Sequence, residues 1–232
     1  MSKRYSRRPR EIVALDDVSF EVAEGDFFAV IGSAGSGKST LLKCVTGLDP
    51  HAPDEGIVRF RGQDTARMPR AAREHMLRHE IGCVFDPEGP NEREVVQYVS
   101  MPLVSAGVRY SVAAGRAREM LRRVGAADCA GARLCELAPS EKTRVVLAQA
   151  LLRGPALLLA DEPAASEDPL EREDMLRLLQ RVAREDRITV LMTAGDATRI
   201  SGATHIAELD RGRLRVEPRG DVVPFPSQAK PN

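Results

Sequence analysis

The chain has 232 residues, enough for one well-cored domain with a small insert but too few for two ordinary enzymes. Charged residues make up 29% of the chain and sum to zero net charge, so composition gives no electrostatic argument for nucleic acid as a partner. The longest apolar runs are far below the ~18 residues of a membrane span, and no apolar leader segment is evident. The four cysteines and four histidines lack metal-ligand spacing, which favours reduced thiols over a metal site.

The two ends of the chain differ in composition from the rest. Lysine and arginine crowd residues 1–10, which predicts a solvated basic arm or, alternatively, an arm that contacts lipid headgroups. Prolines recur over residues 217–232, which is typical of a linker-like tail. We expect both ends to lie outside the folded core.

The first part of the chain predicts short strands around a glycine-rich segment. Residues 12–20 and 27–32 are rich in β-branched and aromatic side chains and are separated by a Glu-Gly-Asp turn, which predicts two strands. A helix is expected from residue 38 to residue 45. Residues 56–61 and 81–85 predict two further strands.

The second part of the chain is first helical and then alternates between strands and helices. A helical period dominates residues 90–152, where segments 112–124 and 144–152 place apolar residues three and four positions apart. After it we expect a strand at 156–160, a helix at 170–184, a strand at 188–193 and a hairpin at 206–216. This order predicts an α/β core, about residues 12–86 and 155–216, with a mainly parallel sheet and a helical insert.

A phosphate-binding loop follows the second predicted strand, where the sequence from Gly32 onward is Gly-Ser-Ala-Gly-Ser-Gly-Lys-Ser-Thr. Gly32, Gly35 and Gly37 let the backbone turn tightly, so that N–H groups, including those of Ser33 and Ser36, point at phosphate oxygens. The following helix adds the positive end of its dipole. Strand, glycine loop and helix together form the context that this motif requires.

Side chains at the end of the loop complete the phosphate site. Lys38 supplies a positive charge for the β- and γ-phosphates, Ser39 a hydroxyl for Mg²⁺, and Thr40 a hydrogen bond to a nearby phosphate oxygen. The loop therefore predicts that the protein binds a nucleoside triphosphate with magnesium.

Two adjacent carboxylates follow the apolar strand that ends at residue 160. Asp161 and Glu162 come directly after it, at the edge where parallel sheets open their ligand crevice. Asp161 is predicted to hold the magnesium shell, and Glu162 to act as the general base that polarises the attacking water.

These motifs, in this order, resemble the ATP-binding subunits of ABC transporters, and the resemblance runs from about residue 5 to residue 216. Residues 14–20, 47–49, 81–85 and 101–103 are most similar to the lipoprotein-release and macrolide-efflux branch. The resemblance implies an ABC-type P-loop ATPase with a mainly parallel core, an N-terminal antiparallel β part and an inserted helical subdomain. It implies two partners on the cytoplasmic face of a membrane: a permease and a second ATP-binding subunit.

The resemblance also implies roles for single residues. Tyr5 matches the aromatic residue that stacks on adenine, and Asp161 and Glu162 match the magnesium aspartate and the catalytic glutamate. Asp168 matches the aspartate of the following loop. The strand that such subunits carry before this tyrosine is absent from our sequence-based prediction.

The chain departs from this family at the signature segment. Each ATP in the family lies between the phosphate loop of one subunit and a Leu-Ser-Gly-Gly-Gln segment of the other, but residues 137–141 here are Leu-Ala-Pro-Ser-Glu. Ala138 has no hydroxyl, Pro139 has no N–H, and Ser140 adds a side chain where the backbone must approach closely. If Glu141 points at the nucleotide, its charge adds repulsion.

Two further positions differ from the family. Asp86 stands in place of a glutamine that reports on magnesium and water; its carboxylate can still ligate the metal. Gly195 stands in place of a histidine that contacts the γ-phosphate, with His205 a candidate replacement. The sequence thus predicts weak or partner-dependent hydrolysis by a heterodimer or, less simply, a homodimer. The alternatives are a nucleotide-gated binding module without turnover and, more remotely, a P-loop kinase for a small molecule.

Overall fold

A computed structural model describes residues 1–7, 10–47, 52–86, 91–165, 168–195, 200 and 202–216. Its strands are β1 Lys3–Arg7, β2 Arg10–Leu15, β3 Phe27–Ile31, β4 Arg59–Phe60, β5 Gln63–Asp64, β6 Ile81–Val84, β7 Leu157–Ala160, β8 Thr189–Ala194, β9 His205–Asp210 and β10 Arg213–Val216. Its helices are α1 Lys38–Thr46, α2 Arg70–His79, α3 Val95–Val104, α4 Tyr110–Arg123, α5 Pro139–Leu151 and α6 Pro169–Glu185, with short 3-10 helices at Ala127–Cys129 and Leu134–Glu136.

A six-stranded sheet in the order β10-β9-β3-β8-β7-β6 forms the centre of the fold. Neighbouring strands from β9 to β6 run parallel, and only β10 pairs antiparallel, as the second strand of a hairpin. The hairpin turn contains Arg211 and Gly212, both with positive φ, which is the backbone shape that matches the twist of two paired strands. The predicted α/β class and the predicted hairpin are confirmed.

Alternation along the strands explains how both faces of this sheet are covered. Phe27 and Ala29 of β3 pack into a core with the helices α5 and α6, whereas Phe28 and Val30 pack into a second core with α1. Side chains alternate between the two faces of a strand, so a sheet covered on both sides needs continuous apolar runs. That requirement accounts for the unbroken apolar sequences of β3 and β7 and for the apolar run at the centre of β8.

The residues between β6 and β7 form the predicted helical part. The helices α3, α4 and α5 pack on one another, and their buried side chains join the core that contains α6. The observed α4 agrees closely with the expected segment 112–124, but α5 begins at Pro139, earlier than the expected residue 144. Pro139 occupies the first turn of α5, where its missing N–H breaks no intrahelical bond.

The basic arm predicted for residues 1–10 is wrong for the residues that the structure describes there. Residues 3–7 form β1, which pairs antiparallel with β2. Lys3 Nζ donates hydrogen bonds to the Ala52 carbonyl and to Asp54 Oδ1, and Arg4 N–H donates to Asp54 Oδ2. These partners lie far away in the sequence and bind groups of the strand that would otherwise be solvated. Composition alone does not reveal them. Arg8 and the predicted tail at 217–232 lie outside the described residues.

Three other expectations need correction. The strand expected at residues 12–20 ends at Leu15, because Asp17 adopts a left-handed φ of 50°. The strand expected at 56–61 is reduced to Arg59–Phe60, and α2 was not predicted. Within the described ranges, no helix combines the length and apolar character that crossing a bilayer requires.

Candidate functional site

The carboxyl ends of β3, β7 and β8 meet at one edge of the sheet, and the predicted site residues follow them. The phosphate loop leaves β3, Asp161 follows β7, and Gly195 follows β8. Gly32 N–H donates to the Ala194 carbonyl at 3.2 Å, which ties the loop directly to the end of β8. Topology therefore brings the loop and the two carboxylates together, as the sequence predicted.

Two glycines of the loop are required by space. A Cβ at Gly32 would lie 2.3 Å from the Leu209 carbonyl oxygen, and a Cβ at Gly37 would lie 2.3 Å from the Ala14 carbonyl oxygen. Gly37 also has φ 111°, which an L side chain rarely adopts. Gly35 has φ 78° but would meet no atom within 4 Å, so it is needed for conformation alone.

Lys38 lies across the loop and is almost fully buried, with 5% of its surface exposed. Its Nζ donates to the Gly32 carbonyl at 2.6 Å and to the Ser33 carbonyl at 2.9 Å. It also lies 3.2 Å from Glu162 Oε1. The positive charge is thus held inside the loop, in contact with the carboxylate predicted to activate water.

The hydroxyls of the loop differ in their surroundings. Ser39 is exposed at the start of α1, and Thr40 is half-buried. Ser36 is buried, and its hydroxyl makes no hydrogen bond within the described part of the chain. Ser36 is held by its backbone, since its carbonyl accepts from Gly212 N–H at 2.9 Å. A buried polar atom without a partner beside the loop fits a site whose ligand brings acceptors of its own.

A buried threonine forms hydrogen bonds with both of the residues that carry the predicted carboxylates. Thr193, on β8, donates from Oγ1 to Asp161 Oδ1 at 2.7 Å and accepts from Glu162 N–H at 2.9 Å. Asp161 N–H donates to the Val84 carbonyl, which fixes the chain as it leaves β7. Glu162 itself has a left-handed φ of 46°. The carboxylates predicted from the sequence are therefore held in place by a residue that the sequence analysis did not single out.

Asp86 lies just beyond β6, and its carboxylate pairs with Lys142 Nζ of α5 at 2.9 Å while remaining 87% exposed. This geometry directs the predicted metal ligand toward the signature helix. Among the residues described, no group of three or more His, Cys, Asp and Glu side chains is placed to hold a metal ion.

The first turn of α5, which contains the altered signature, binds its own side chains. Glu141 Oε2 accepts the N–H of Ala138 at 2.9 Å, and Ser140 Oγ donates to Glu171 Oε1 of α6 at 3.2 Å. Glu141 also affects Cys129, whose thiol pKa is raised first by burial and then by the charge of this carboxylate. Glu141 therefore folds back onto the first turn of its own helix, where its carboxylate stands beside the helix N-terminus.

Three other predicted positions lie near the ends of elements. Asp168 caps α6, because its Oδ1 accepts from Leu170 N–H at 2.8 Å. A Cβ at Gly195 would meet no atom of the described residues within 4 Å. His205 cannot replace the missing histidine, since it stacks on Phe28 and lies 3.5 Å from Asp26, at the opposite end of the sheet from the loop.

Tyr5 lies on β1 and is half-buried, with Lys3 Nζ 5.5 Å from its ring centroid. The paired strand β2 runs beside the phosphate loop, as the contact between the Ala14 carbonyl and Gly37 shows. The β1–β2 pair thus reaches the loop from the side, and the adenine-stacking role of Tyr5 stays a prediction.

Sequence analysis missed three residues of this region: Thr193, Lys142 and Glu171. A signal was available for Thr193, because it is a hydroxyl near the carboxyl end of a mainly apolar strand, next to the expected ligand edge. Lys142 and Glu171 gave none, since a charge on a helix surface is ordinary.

Comparisons with known proteins identify the fold and the family. The family described as ABC transporter matches residues 15–165. LolD of Geobacter metallireducens, a lipoprotein-releasing system ATP-binding protein, is 36% identical over 215 residues, which cover 92% of this chain and 95% of LolD. MetN of Streptomyces coelicolor, a methionine import ATP-binding protein, is 37% identical over 221 residues, which cover 92% of this chain but 62% of MetN.

Solved structures agree with the sequence relatives. The dimeric structure of MJ0796, a bacterial ABC transporter cassette, has a TM-score of 0.85 at 28% identity and covers 93% of this chain and 95% of its own. The same cassette with bound ADP and Pi, in a dimeric post-hydrolysis state, has a TM-score of 0.84 at 28% identity, with the same coverage. CbiO1 of Clostridium perfringens, with a TM-score of 0.77 at 24% identity over 93% of this chain and 85% of its own, supports the fold alone. The chain belongs to the ABC transporter family, as one of its ATP-binding subunits.

Proposed function

We propose that this subunit binds ATP with Mg²⁺ at residues 32–40 and couples that binding to a membrane permease, and that it hydrolyses ATP weakly unless a partner subunit supplies an intact signature. One observation carries the proposal. At the phosphate loop, Lys38 contacts two loop carbonyls and the Glu162 carboxylate, whereas the start of α5 is occupied by side chains of this chain itself.

ATP binding depends first on Lys38. Its ammonium group is bound by two carbonyls and one carboxylate, so it is already positioned and desolvated before any phosphate arrives. A polyphosphate that enters the loop exchanges Glu162 for phosphate oxygens at this ammonium, and the loop N–H groups supply further donors. Tyr5 is proposed to stack on adenine, and Thr40 to bond a phosphate oxygen.

The residues beside the loop fit Mg²⁺. Ser39 offers an exposed hydroxyl and Asp161 a carboxylate, both hard oxygen donors of the kind that this ion prefers. Few protein ligands suit an ion that keeps several waters and binds substrate phosphates. Asp86 remains a proposed ligand that would first have to leave Lys142. When bound, the ion neutralises charge that develops on the phosphate oxygens.

Hydrolysis is assigned to Glu162. Once phosphate replaces it at Lys38, its carboxylate can accept a proton from water as the water oxygen bonds to the γ-phosphorus and the bond to the bridging oxygen of ADP breaks. The left-handed backbone at Glu162 places this side chain toward the loop rather than along β7. The chain therefore retains the base and the lysine of the reaction.

The start of α5 is the reason we expect weak turnover. Its helix N-terminus could bind a phosphate of a facing subunit, but Glu141 already places a carboxylate there and Pro139 has no N–H to offer. The related MJ0796 cassette is dimeric. In a homodimer both composite sites would use this first turn, whereas a heterodimer could give the loop of this chain an intact signature. We therefore favour a heterodimer.

The partners follow from the kind of protein that the relatives are. LolD and MetN are ATP-binding proteins of a lipoprotein-releasing system and of methionine import, and cbiO1 is part of an ABC transporter complex. We propose that this chain likewise associates with an integral membrane permease and lies peripherally on the cytoplasmic face of the membrane.

A second candidate function uses the same observations differently. If the first turn of α5 never releases Glu141 and Ser140, the subunit binds ATP and changes conformation without turnover. The nucleotide would then act through its different affinity for two states of the protein. Binding is common to both candidates, and the rate of phosphate release separates them.

The decisive binding experiment is an ATP titration of the purified chain with Mg²⁺. Lys38→Ala should weaken ATP affinity by about tenfold to a hundredfold, because a charge-assisted bond of about 1.5 to 3 kcal/mol is lost. Lys43→Ala, in the last turn of the same helix, should leave affinity unchanged. A wild-type chain that fails to bind ATP would overturn the proposal.

Turnover is measured on the same preparation, alone and then with the permease in lipid vesicles and a second ATP-binding subunit that has an intact signature. We expect phosphate release near background for the chain alone and a rise of at least about tenfold with both partners. Background release under both conditions supports the binding module. Rapid hydrolysis by the chain alone would contradict the role given to the first turn of α5.

A further inference from the structure

The hydroxyl of Thr193 lies between the two carboxylate residues and is completely buried, with 0% of the residue exposed. It makes two hydrogen bonds, one of 2.7 Å to Asp161 Oδ1 and one of 2.9 Å from Glu162 N–H. A single side chain thus contacts both residues that follow β7. This arrangement is more than the satisfaction of one buried polar atom.

The direction of these bonds is fixed by chemistry. A backbone N–H can only donate, so Glu162 N–H uses a lone pair of Thr193 Oγ1. The single hydroxyl proton must then be donated to Asp161 Oδ1, which has to accept it. The bond uses Oδ1 alone, so Oδ2 of Asp161 is not taken up by Thr193.

The bond to Glu162 bears on its backbone. Glu162 adopts a φ of 46°, a region that a residue with a Cβ occupies at an energetic cost and keeps only when its surroundings hold it there. Thr193 binds its N–H, and Ala165 N–H donates to its carbonyl at 3.1 Å. The side chain that results from this backbone reaches Lys38 Nζ.

We propose that Thr193 is a positioning residue that sets both carboxylates for magnesium-dependent ATP binding. It orients the Asp161 carboxylate, and it holds Glu162 in the conformation that faces Lys38. The proposal rests on the proposed ATP and Mg²⁺ site, and it adds a residue to which no role had been given. The role belongs to the hydroxyl, because Thr193→Val removes both hydrogen bonds and leaves a side chain of nearly the same size at this fully buried position.

The test compares ATP affinity in Mg²⁺ with ATP affinity in EDTA for the full chain and three variants. Thr193→Val should lose about tenfold of the affinity gain that Mg²⁺ gives, since a hydrogen bond to a charged group is removed. Thr193→Ser keeps the hydroxyl and should retain the gain. Thr189→Val is the matched control: it removes a buried hydroxyl on the same strand, one that accepts from Gly25 N–H at 3.0 Å away from the carboxylates.

The outcomes separate this proposal from the one on which it rests. Wild-type chain that gains no affinity from Mg²⁺ refutes the proposed site itself. Wild-type chain that gains affinity, together with an equal gain in Thr193→Val, refutes the role of Thr193 alone. A loss of the gain in Thr189→Val as well would show a general effect of buried hydroxyls and also overturn it. If Thr193→Val does not fold, Thr193→Cys, a weak donor of similar size, should show a reduced gain.

Discussion

The phosphate loop and the first turn of α5 each place a helix N-terminus beside a region where an anion would bind. They differ in whether a side chain of this chain already occupies that region. At the loop, Lys38 and the N-terminus of α1 face inward, and the glycines leave no side chain in the way. At α5, Glu141 has already taken the position of an anion, by accepting the Ala138 N–H.

This difference concerns two steps, the binding of ATP and the closure of a facing subunit on it. The two steps occur together when the phosphate loop and the signature segment of a subunit are both intact. In the proposed function, binding of ATP uses the loop, and closure on ATP uses the helix start of a facing subunit. A carboxylate at a helix N-terminus stabilises that helix by about 0.3 to 1 kcal/mol but cancels its attraction for a second anion. Under the proposed function, the chain can therefore bind nucleotide and still contribute little to the site of its partner.

The largest effect that would sharpen this comparison is expected at Gly37. Gly37→Ala puts a Cβ 2.3 Å from the Ala14 carbonyl oxygen and forces φ 111° on an L residue. Together, overpacking and backbone strain should lower the free energy of unfolding by about 2 to 5 kcal/mol. Urea denaturation measures the change.

Two other glycines serve as graded controls for that variant. Gly35→Ala, with positive φ but open space, should cost about 1 kcal/mol, and Gly195→Ala, with open space and no positive φ, should be near neutral. If all three substitutions lower the free energy of unfolding equally, the loop is not held by close packing. The contrast between the phosphate loop and the first turn of α5 would then have no structural basis.

A smaller effect, on the rate of hydrolysis, is expected from restoring the family's signature sequence at the start of α5. Replacing residues 138–141 with Ser-Gly-Gly-Gln removes the Glu141 carboxylate and returns a hydroxyl and an N–H. Each regained bond to charged phosphate contributes about 1.5 kcal/mol or more, so hydrolysis by the isolated chain should rise by about tenfold or more. Phosphate release at saturating ATP measures it.

Gly195→His tests the second proposed donor separately, because a Cβ at that position would meet no atom of the described residues within 4 Å. It should add to the restored first turn, and Gly195→Ala is its control. Unchanged release in the combined variant would show that the first turn of α5 does not limit turnover, so that the proposed difference between the two ends has no functional consequence.

Much of the fold and of the loop end was predictable, because local chemistry determines both. Glycines before Lys38 and a carboxylate pair after an apolar strand have few other uses, and parallel strands bring their carboxyl ends together whatever the loops do. The corrected hairpin β1–β2 shows the limit. Its basic residues look solvated in sequence, but Asp54, far along the chain, provides their partner.

The behaviour of the first turn of α5 was not predictable for a related reason. The loss of signature donors is visible in the sequence, whereas the direction of the Glu141 side chain depends on a backbone N–H left without an intrahelical partner. The part played by Thr193 depends on the register of β8 against β7, which places it beside Asp161. Such contacts are set by tertiary packing rather than by local pattern.

The smallest effect on stability is expected at the ion pair that holds β1, the strand beside the phosphate-loop region. Hydrogen bonds from Arg4 N–H and from Lys3, together with the charges of these two residues, lower the pKa of Asp54 below its ordinary value. A lowered folded-state pKa stabilises the protein above the unfolded-state pKa, and this stabilisation is lost as pH falls through the folded-state pKa. Because the carboxylate is 41% exposed, the contribution should stay below about 1 kcal/mol.

Asp54→Asn should accordingly lower the free energy of unfolding slightly at pH 6. The difference from wild type should shrink below about pH 4, where the unfolded-state carboxyl of wild type becomes protonated, and vanish only below the lowered folded-state pKa. Urea denaturation from pH 3 to pH 7 measures the difference. Glu55→Gln is the control, since Glu55 lies 3.6 Å from Arg4 and is 65% exposed. If the difference in unfolding free energy between Asp54→Asn and wild type is constant from pH 3 to pH 7, β1 is held by packing and not by Asp54. The phosphate-loop region then gains no stability from this ion pair.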